Sequence, residues 1–146
     1  MFPYIMTGLA LLAGGIIFFA LRRDLGKKTA PKGKCDRPPV KEVSALELRD
    51  LVTSSADPVV VMFHSPNCPA CHTQKPNFQE AADVHEGNAR FVTINVLDNK
   101  STARRLGISR IPTTMVFVKD DVSPLASRIG VFDPAEVNAF IKNAGR

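Results

Sequence analysis

Two cysteines separated by two residues are the part of this sequence best suited to redox chemistry. Cys68 and Cys71 enclose Pro69 and Ala70, and His72 follows directly. If a helix begins at Pro69, Cys71 lies one turn into it and is near enough to Cys68 to close a disulfide. The free N–H groups and the dipole at the start of that helix would stabilise a Cys68 thiolate. The spacing predicts that Cys68 attacks a substrate disulfide and that a more buried Cys71 resolves the mixed disulfide.

The chain has three histidines, one of which adjoins the cysteine pair. His72 could stabilise a thiolate when protonated or serve as an acid or base, and it could equally be a solvent-facing helix residue. We expect His64 to pack near the end of a strand and His85 to be an ordinary surface residue. Only His72 is therefore a candidate for a supporting role at the dithiol.

Two other uses of the same residues would require a bound group. The run from Cys68 to His72 also fits the CxxCH pattern of c-type haem attachment, with His72 as the axial ligand. Haem c is usual in small helical domains, whereas a buried strand is predicted just before this motif. A zinc site needs four ligands, and the chain offers only Cys68, Cys71 and His72 with His64 or Cys35. The sequence thus favours a dithiol with no cofactor and no metal, with haem and zinc as minor alternatives.

The residues around the dithiol predict an alternation of strands and helices. The uninterrupted apolar run over 59–63 is typical of a strand covered on both faces, and Ser44 with Glu47 matches a capping box that opens a helix. The predicted elements are strands over 40–43, 59–63, 91–96, 113–118 and 127–132, with helices over 44–53, 69–84, 101–106 and from Pro134 onward. This β-α-β-α-β-α-β-β-α order implies a mixed sheet with helices on both sides.

The segment that contains the dithiol also matches a known family. From Val59 through the two cysteines to Pro76, the sequence resembles the strand, active-site turn and kinked helix of the thioredoxin family, without gaps. Pro76 falls where that family has the proline that kinks the helix. The resemblance covers about residues 40 to 144 and implies a thioredoxin-like α/β fold. It also implies a thiol–disulfide oxidoreductase that acts on protein disulfides without a cofactor.

A second segment, from Gly107 to Thr113, resembles the family's loop that packs a cis-proline beside the dithiol. Cys68 and Pro112 are 44 residues apart, as the family leads one to expect. The resemblance implies a cis bond between Ile111 and Pro112, although cis is a minority state of X–Pro bonds in general. It further implies that the backbone of Ile111 is free to pair with an extended substrate segment.

Three positions depart from the family pattern. Met62 stands where thioredoxins carry a buried aspartate, and Thr93 stands where they carry its lysine partner, so a proton acceptor for Cys71 is missing. Asn67 replaces the tryptophan before the first cysteine. Because a fold alone does not prove activity, the strongest alternative is a membrane-anchored scaffold or assembly component, within a larger particle or outside one, whose dithiol turns over little. The intact dithiol and Pro112 favour the oxidoreductase.

The N-terminal segment is apolar and long. Residues 2–21 contain no charged side chain, and as a helix they would span about 30 Å, the thickness of a hydrocarbon core. No basic region precedes them and no small-x-small cleavage site follows, so a retained single-pass membrane anchor is expected rather than a cleaved signal. Basic residues cluster just after the segment, which predicts that the domain faces the cytosol. The expected organisation is an anchor over 2–21, a basic, proline-containing linker over 22–39 and a thioredoxin-like domain over 40–146.

The positive charge of the chain is concentrated beside that apolar segment. Between Arg22 and Lys41 lie eight of the 19 basic residues and two of the 14 acidic residues, so the remainder is close to neutral. A near-neutral domain argues against a nucleic-acid surface. In the cytosol the dithiol would be kept reduced and act as a disulfide reductase, whereas a luminal domain would suggest oxidation or isomerisation. Cys35 is expected to be a free linker thiol, with lipidation or intermolecular pairing as alternatives.

Overall fold

The computed structural model of the protein describes residues 38–144, and within them strands and helices alternate in the predicted order. The elements are β1 (Lys41–Glu42), α1 (Ala45–Ser54), β2 (Val59–His64), α2 (Pro69–Val84), β3 (Arg90–Asn95), α3 (Lys100–Arg105), β4 (Thr113–Phe117), β5 (Ala126–Ile129) and α4 (Pro134–Ala144). The helix that follows the first cysteine has the bounds that the sequence predicts.

The strands form one five-stranded mixed sheet in the order β1-β3-β2-β4-β5. β3 pairs parallel with β1 and β2, whereas β4 pairs antiparallel with β2 and β5. β2 lies at the centre, and all six of its residues are buried. The predicted mixed sheet with a central apolar strand is confirmed.

Alternate residues of β2 pack into two separate hydrophobic cores, because successive side chains of a strand point to opposite faces of the sheet. Val61 and Phe63 pack with residues of α1, such as Leu48. Val60 and Met62 pack on the other face with residues of α2 and α4, including Phe78, Ala81, Val137 and Ile141. Helices therefore cover both faces of the sheet, as predicted. β2 ends shortly before the start of α2.

The start of α1 confirms the predicted capping box. The backbone N–H of Glu47 donates to Ser44 Oγ at 3.3 Å, and the Ser44 N–H donates to Glu47 Oε2 at 2.8 Å. The hydrogen bond from the Ser44 backbone, aided by Lys41, lowers the pKa of Glu47 from 4.5 to about 2. The carboxylate form is therefore the one that fits the cap.

The second half of the β4–β5 hairpin differs from the sequence prediction. β5 ends at Ile129 rather than at residue 132, and the connection between the two strands is longer than the three residues 119–121. Gly130 adopts a φ of +102°, which favours glycine and ends the regular strand. Its N–H donates to the carbonyl oxygen of Pro112 at 2.8 Å, in the same register as the Thr113–Ile129 pair, but Pro112 has no N–H to return the bond and the ladder ends there.

Several sequence predictions concern residues outside the described part of the chain. The membrane anchor over 2–21, the linker up to Arg37 and Cys35 all lie there. Within residues 38–144, no helix combines the length and the apolar character needed to cross a bilayer.

Candidate active site

The two cysteines lie at the start of α2, just after the turn that follows β2. Cys68 is the N-cap residue and Pro69 occupies the first turn, where its missing N–H is no loss. Cys68 and Cys71 are joined as a disulfide, with their Cα atoms 5.2 Å apart. The backbone N–H of Cys71 lies 3.2 Å from Cys68 Sγ, so a donor at the helix terminus already points at this sulfur.

The two sulfur-bearing residues differ in exposure. Cys71 is 1% exposed, whereas Cys68 is only partly buried and is flanked by the exposed residues Asn67, Pro69 and Ala70. An attacking molecule therefore reaches Cys68 before Cys71. From the sequence, Cys71 is also expected to be the more buried of the two.

The predicted proline loop lies beside the disulfide. The Ile111–Pro112 peptide bond is cis. The carbonyl oxygen of Ile111 lies 3.9 Å from Cys68 Sγ. Within the described residues, Ile111 makes no backbone–backbone hydrogen bond, so its N–H and C=O are available for an extended chain. These are the groups that β-strand addition requires.

A buried glutamine links the helix that carries the dithiol to the segment near the proline loop, and it was not predicted from the sequence. Gln74 lies in α2 three residues after Cys71 and is fully buried. Its Oε1 accepts a hydrogen bond of 2.9 Å from the N–H of Phe132, just beyond Gly130. Gln74 thus ties the segment that contacts Pro112 to the dithiol helix. The available signal was a polar residue on the apolar face of α2, one turn beyond Cys71.

His72 is exposed, and its ring folds back over the turn before the dithiol. Nε2 lies 2.9 Å from the carbonyl oxygen of Pro66. Because a carbonyl can only accept, Nε2 carries the hydrogen in this contact. The ring therefore braces the turn in front of Cys68. A role for His72 in proton transfer stays a prediction.

A sequence model of the Thioredoxin family matches residues 39–143. The chain belongs to the thioredoxin family. Over 76 residues it is 36% identical to a thioredoxin of Synechocystis, a match that covers 52% of this chain and 71% of that protein. It is 37% identical over 71 residues to the chloroplastic M-type thioredoxin of Brassica napus, covering 49% of this chain and 40% of the relative.

Solved structures show the same fold. A chloroplastic thioredoxin z superposes with a TM-score of 0.66 at 20% identity, covering 75% of this chain and 96% of that one. Mitochondrial thioredoxin 3 from Saccharomyces cerevisiae gives a TM-score of 0.62 at 21% identity, covering 71% and 94%. Family membership and the Cys68–Cys71 pair together identify the domain as a thiol–disulfide oxidoreductase.

Met62 occupies the position at which the family resemblance implies a buried aspartate. Met62 is fully buried and lies directly opposite Thr93 in the β2–β3 ladder. On its other side Met62 faces Thr114 of β4, which is also buried. These three neighbouring positions of the sheet are therefore occupied by a thioether and two hydroxyl side chains.

His64 is the titratable group buried nearest in sequence to the dithiol. It ends β2, as predicted, and its Nε2 lies 3.0 Å from Glu42 Oε2 on β1. Neither ring nitrogen makes a hydrogen bond of good geometry with another described residue. Burial, followed by the charge of Lys75, lowers the pKa of His64, while the Glu42 carboxylate opposes the shift. The imidazole is therefore held in its neutral form beside a carboxylate.

The remaining histidine is less exposed than expected. His85 caps the C-terminus of α2, is half-buried and stacks on Phe91 with a centroid distance of 6.1 Å. The prediction of an ordinary surface residue is wrong because the ring packs on an aromatic neighbour. Among residues 38–144, no three His, Cys, Asp or Glu side chains converge as a metal site requires.

Proposed function

We propose that the protein is a membrane-anchored disulfide reductase that acts on protein disulfides through Cys68 and Cys71. In the reduced protein, the Cys68 thiolate attacks one sulfur of the substrate disulfide. A mixed disulfide forms and one substrate thiolate leaves. The Cys71 thiolate then attacks Cys68 Sγ, which releases the second substrate thiolate and closes the Cys68–Cys71 disulfide. Two electrons pass from the dithiol to the substrate, and an external thiol reductant restores the dithiol.

The observation that carries this proposal is the difference in exposure between the two cysteines at the start of α2. Cys68 is partly exposed and is the N-cap, where the helix dipole and the Cys71 N–H favour a thiolate. Cys71 is 1% exposed, so it reaches Cys68 Sγ more readily than it reaches a substrate. This arrangement suits a two-step exchange in which only the first thiol meets the substrate.

The proline loop supplies the second requirement, which is a place for the substrate chain. The free backbone groups of Ile111 lie beside Cys68 Sγ, at a carbonyl distance of 3.9 Å. An extended substrate segment that pairs with Ile111 would hold its own cysteine near Cys68. We assign supporting roles to Ile111 and Pro112 on this basis, and to Pro69, Ala70 and His72 as the residues that shape the helix start.

The membrane part of the proposal rests on the sequence alone. The uncharged run over 2–21 is long enough to span a bilayer, and the basic residues between Arg22 and Lys41 favour a cytosolic domain. In that compartment the dithiol is kept mostly reduced, which favours reduction of substrates near the membrane over oxidation.

One specific observation favours a second candidate function. Met62 and Thr93 leave the buried thiol without the acid that could accept its proton. A domain with this substitution that turned over slowly would serve as an anchored scaffold or assembly component. The two candidates differ in turnover and not in fold, so a single kinetic experiment distinguishes them.

The test is insulin reduction with dithiothreitol as the electron source, followed by turbidity and performed on the full-length chain. Acceleration by the wild-type protein, lost in both Cys68→Ser and Cys71→Ser, supports the reductase. Cys71→Ser should additionally accumulate a mixed disulfide with the substrate, whereas Cys68→Ser should not. No acceleration by a folded wild-type protein would refute the reductase and leave the scaffold.

A further inference from the structure

A shallow depression opens beside the proline loop, between α3 and the segment over 108–111. Its volume is about 300 Å³, and its wall includes Ile111. The same residue places its carbonyl oxygen 3.9 Å from Cys68 Sγ. The depression therefore begins where a substrate chain would pair with the loop.

Three cationic side chains line this depression, which we name the basic depression. They are Lys100 and Arg104 of α3 and Arg110 of the loop, and all three are exposed. Within residues 38–144, none of them forms an ion pair. The acidic residue nearest in sequence, Asp98, instead accepts a hydrogen bond of 2.6 Å from Asn95 Nδ2. The basic depression thus presents positive charge that the described residues leave uncompensated.

Apolar side chains form the remainder of the wall. Val96, Ile108 and Ile111 lie among the cations. A glutamate or aspartate side chain matches this mixture, because its methylene groups can pack on the apolar residues while its carboxylate meets the guanidinium groups. Three like charges facing one depression also repel one another, and an incoming carboxylate relieves that repulsion.

We propose that the basic depression is a docking site for acidic side chains of the substrate, and that it selects proteins with Asp or Glu close to the reducible disulfide. The inference rests on the proposed reductase function and adds its substrate class. A polypeptide is the favoured occupant because the site is concave and continuous with the free backbone groups of Ile111. A flat anionic lipid surface would not require that continuity.

The chain provides a matched control on the same helix. Arg104 and Arg105 are neighbours in the last turn of α3, and both are exposed. Arg104 lines the basic depression, whereas Arg105 lines a different depression together with Arg49. Arg104→Gln and Arg105→Gln therefore remove equal charge from adjacent positions of the helix, and only the first alters the proposed docking site.

The experiment measures the rate at which the reduced full-length protein reduces three disulfide-bridged peptides. The peptides differ only in the two residues that flank one cysteine. Both of these residues are Glu in the first peptide, Gln in the second and Lys in the third. At about 50 mM salt we expect the Glu peptide to react about five-fold faster than the Gln peptide, and the Lys peptide to be slowest. At about 0.5 M salt the preference should shrink. The double variant Arg104→Gln/Arg110→Gln should lose the preference, and Arg105→Gln should retain it.

The outcomes separate this inference from the proposed function. Equal rates for the three peptides would overturn the docking site and leave the reductase intact. If no peptide is reduced, the reductase fails, and the docking site is tested with serine-substituted peptides by amide chemical shifts of the 15N-labelled full-length protein. Shifts at Ala103 and Ile108 with the Glu peptide alone would support docking, and their absence would overturn it. Amide shifts at Ala103 and Ile108 on addition of a soluble short-chain phosphatidylserine, with equal rates for the three peptides, would assign the depression to lipid instead.

Discussion

The imidazole of His64 lies 3.0 Å from the carboxylate of Glu42, yet its pKa is lowered rather than raised. The side chain of His64 is 3% exposed and that of Glu42 is 53% exposed. Water therefore weakens the attraction of the carboxylate, while burial penalises a charge on the ring. The cationic Lys75 on α2 adds to the penalty. The contact at neutral pH joins a neutral ring to a carboxylate and is not an ion pair.

We expect this buried ring to make the fold less stable in mild acid. In the unfolded chain His64 binds a proton at its ordinary pKa of about 6.5, whereas the folded protein binds it only at lower pH. Between these pH values the unfolded state holds more protons, so the free energy of unfolding falls as the pH falls below about 6.5. Above that pH the contribution is fully present. Urea unfolding followed by circular dichroism, since the chain has no tryptophan, measures the slope.

The control for that prediction is a variant that removes no titratable group. His64→Gln should flatten the slope between about pH 5 and 6.5, and Thr73→Ala, a change at an exposed site, should not. Above about pH 5 Glu47 is ionised in the folded protein, where its pKa is about 2, and largely ionised in the unfolded chain, where its pKa is 4.5, so it adds little to the slope. Identical slopes in wild type and His64→Gln would show that the ring does not resist protonation.

Gln74 should contribute to stability through one buried hydrogen bond. Replacing it with leucine preserves approximate volume and removes Nε2, which is buried without a partner, but leaves the N–H of Phe132 without its acceptor, so we expect a net loss of about 1 kcal/mol in the free energy of unfolding. Hydrogen exchange at the Phe132 amide should also accelerate. The exposed neighbour Thr73, changed to alanine, is the control. Unchanged stability in Gln74→Leu would mean that the segment beyond Gly130 does not depend on this bond.

The sequence predicted local features of the fold better than contacts between distant segments. α2 was predicted from Pro69 to Val84 because proline at the first turn and the apolar spacing act within one element. The cis bond before Pro112 came from the family resemblance, since local physics favours trans. β5 ends early because the next residue in register with it is Pro112, 18 residues before Gly130, which has no N–H to return the hydrogen bond that Gly130 donates. No periodicity within one strand encodes such a contact.

The same distinction applies to the site. The cysteine pair is visible as a motif of four residues, and its burial asymmetry follows from helix geometry. Gln74 and Phe132 are 58 residues apart, so the bond between them appears only once the helix and the hairpin pack together. The contact between Glu42 and His64 likewise requires β3 to lie between β1 and β2.

If residues 2–21 form the proposed membrane anchor, the full-length chain should stay with membranes after a carbonate wash, and deletion of residues 2–21 should release it. In a variant with Cys68 and Cys71 changed to serine, Cys35 is the sole cysteine. An impermeant maleimide should label it in sealed cytosol-out vesicles as strongly as after permeabilisation. Adding Cys35→Ser to the same variant removes the last cysteine and is the control for nonspecific labelling. Protection until permeabilisation would place the domain on the opposite side.

The effect of having methionine in place of an aspartate at position 62 can be tested by substitutions at Met62 and at its cross-strand partner Thr93. Met62→Asp alone places a carboxyl group in a fully buried position within an apolar cluster, and we expect it to cost about 3 kcal/mol of stability at neutral pH. Thr93→Lys in the same chain should recover much of that loss, because the two positions are direct partners across β2 and β3. Met62→Leu conserves volume and should cost less than about 1.5 kcal/mol.

The double variant also tests the chemistry. If Cys71 lacks a proton acceptor, an aspartate at position 62 should raise the rate of insulin reduction above that of the wild type, and Met62→Leu should leave it unchanged. The free energy of unfolding and the rate of insulin reduction are measured on the same preparations, so that a folding defect is distinguished from a catalytic defect. A stable double variant with wild-type turnover would show that proton transfer from Cys71 does not limit the reaction. In that case Met62 and Thr93 would not be the reason for slow turnover.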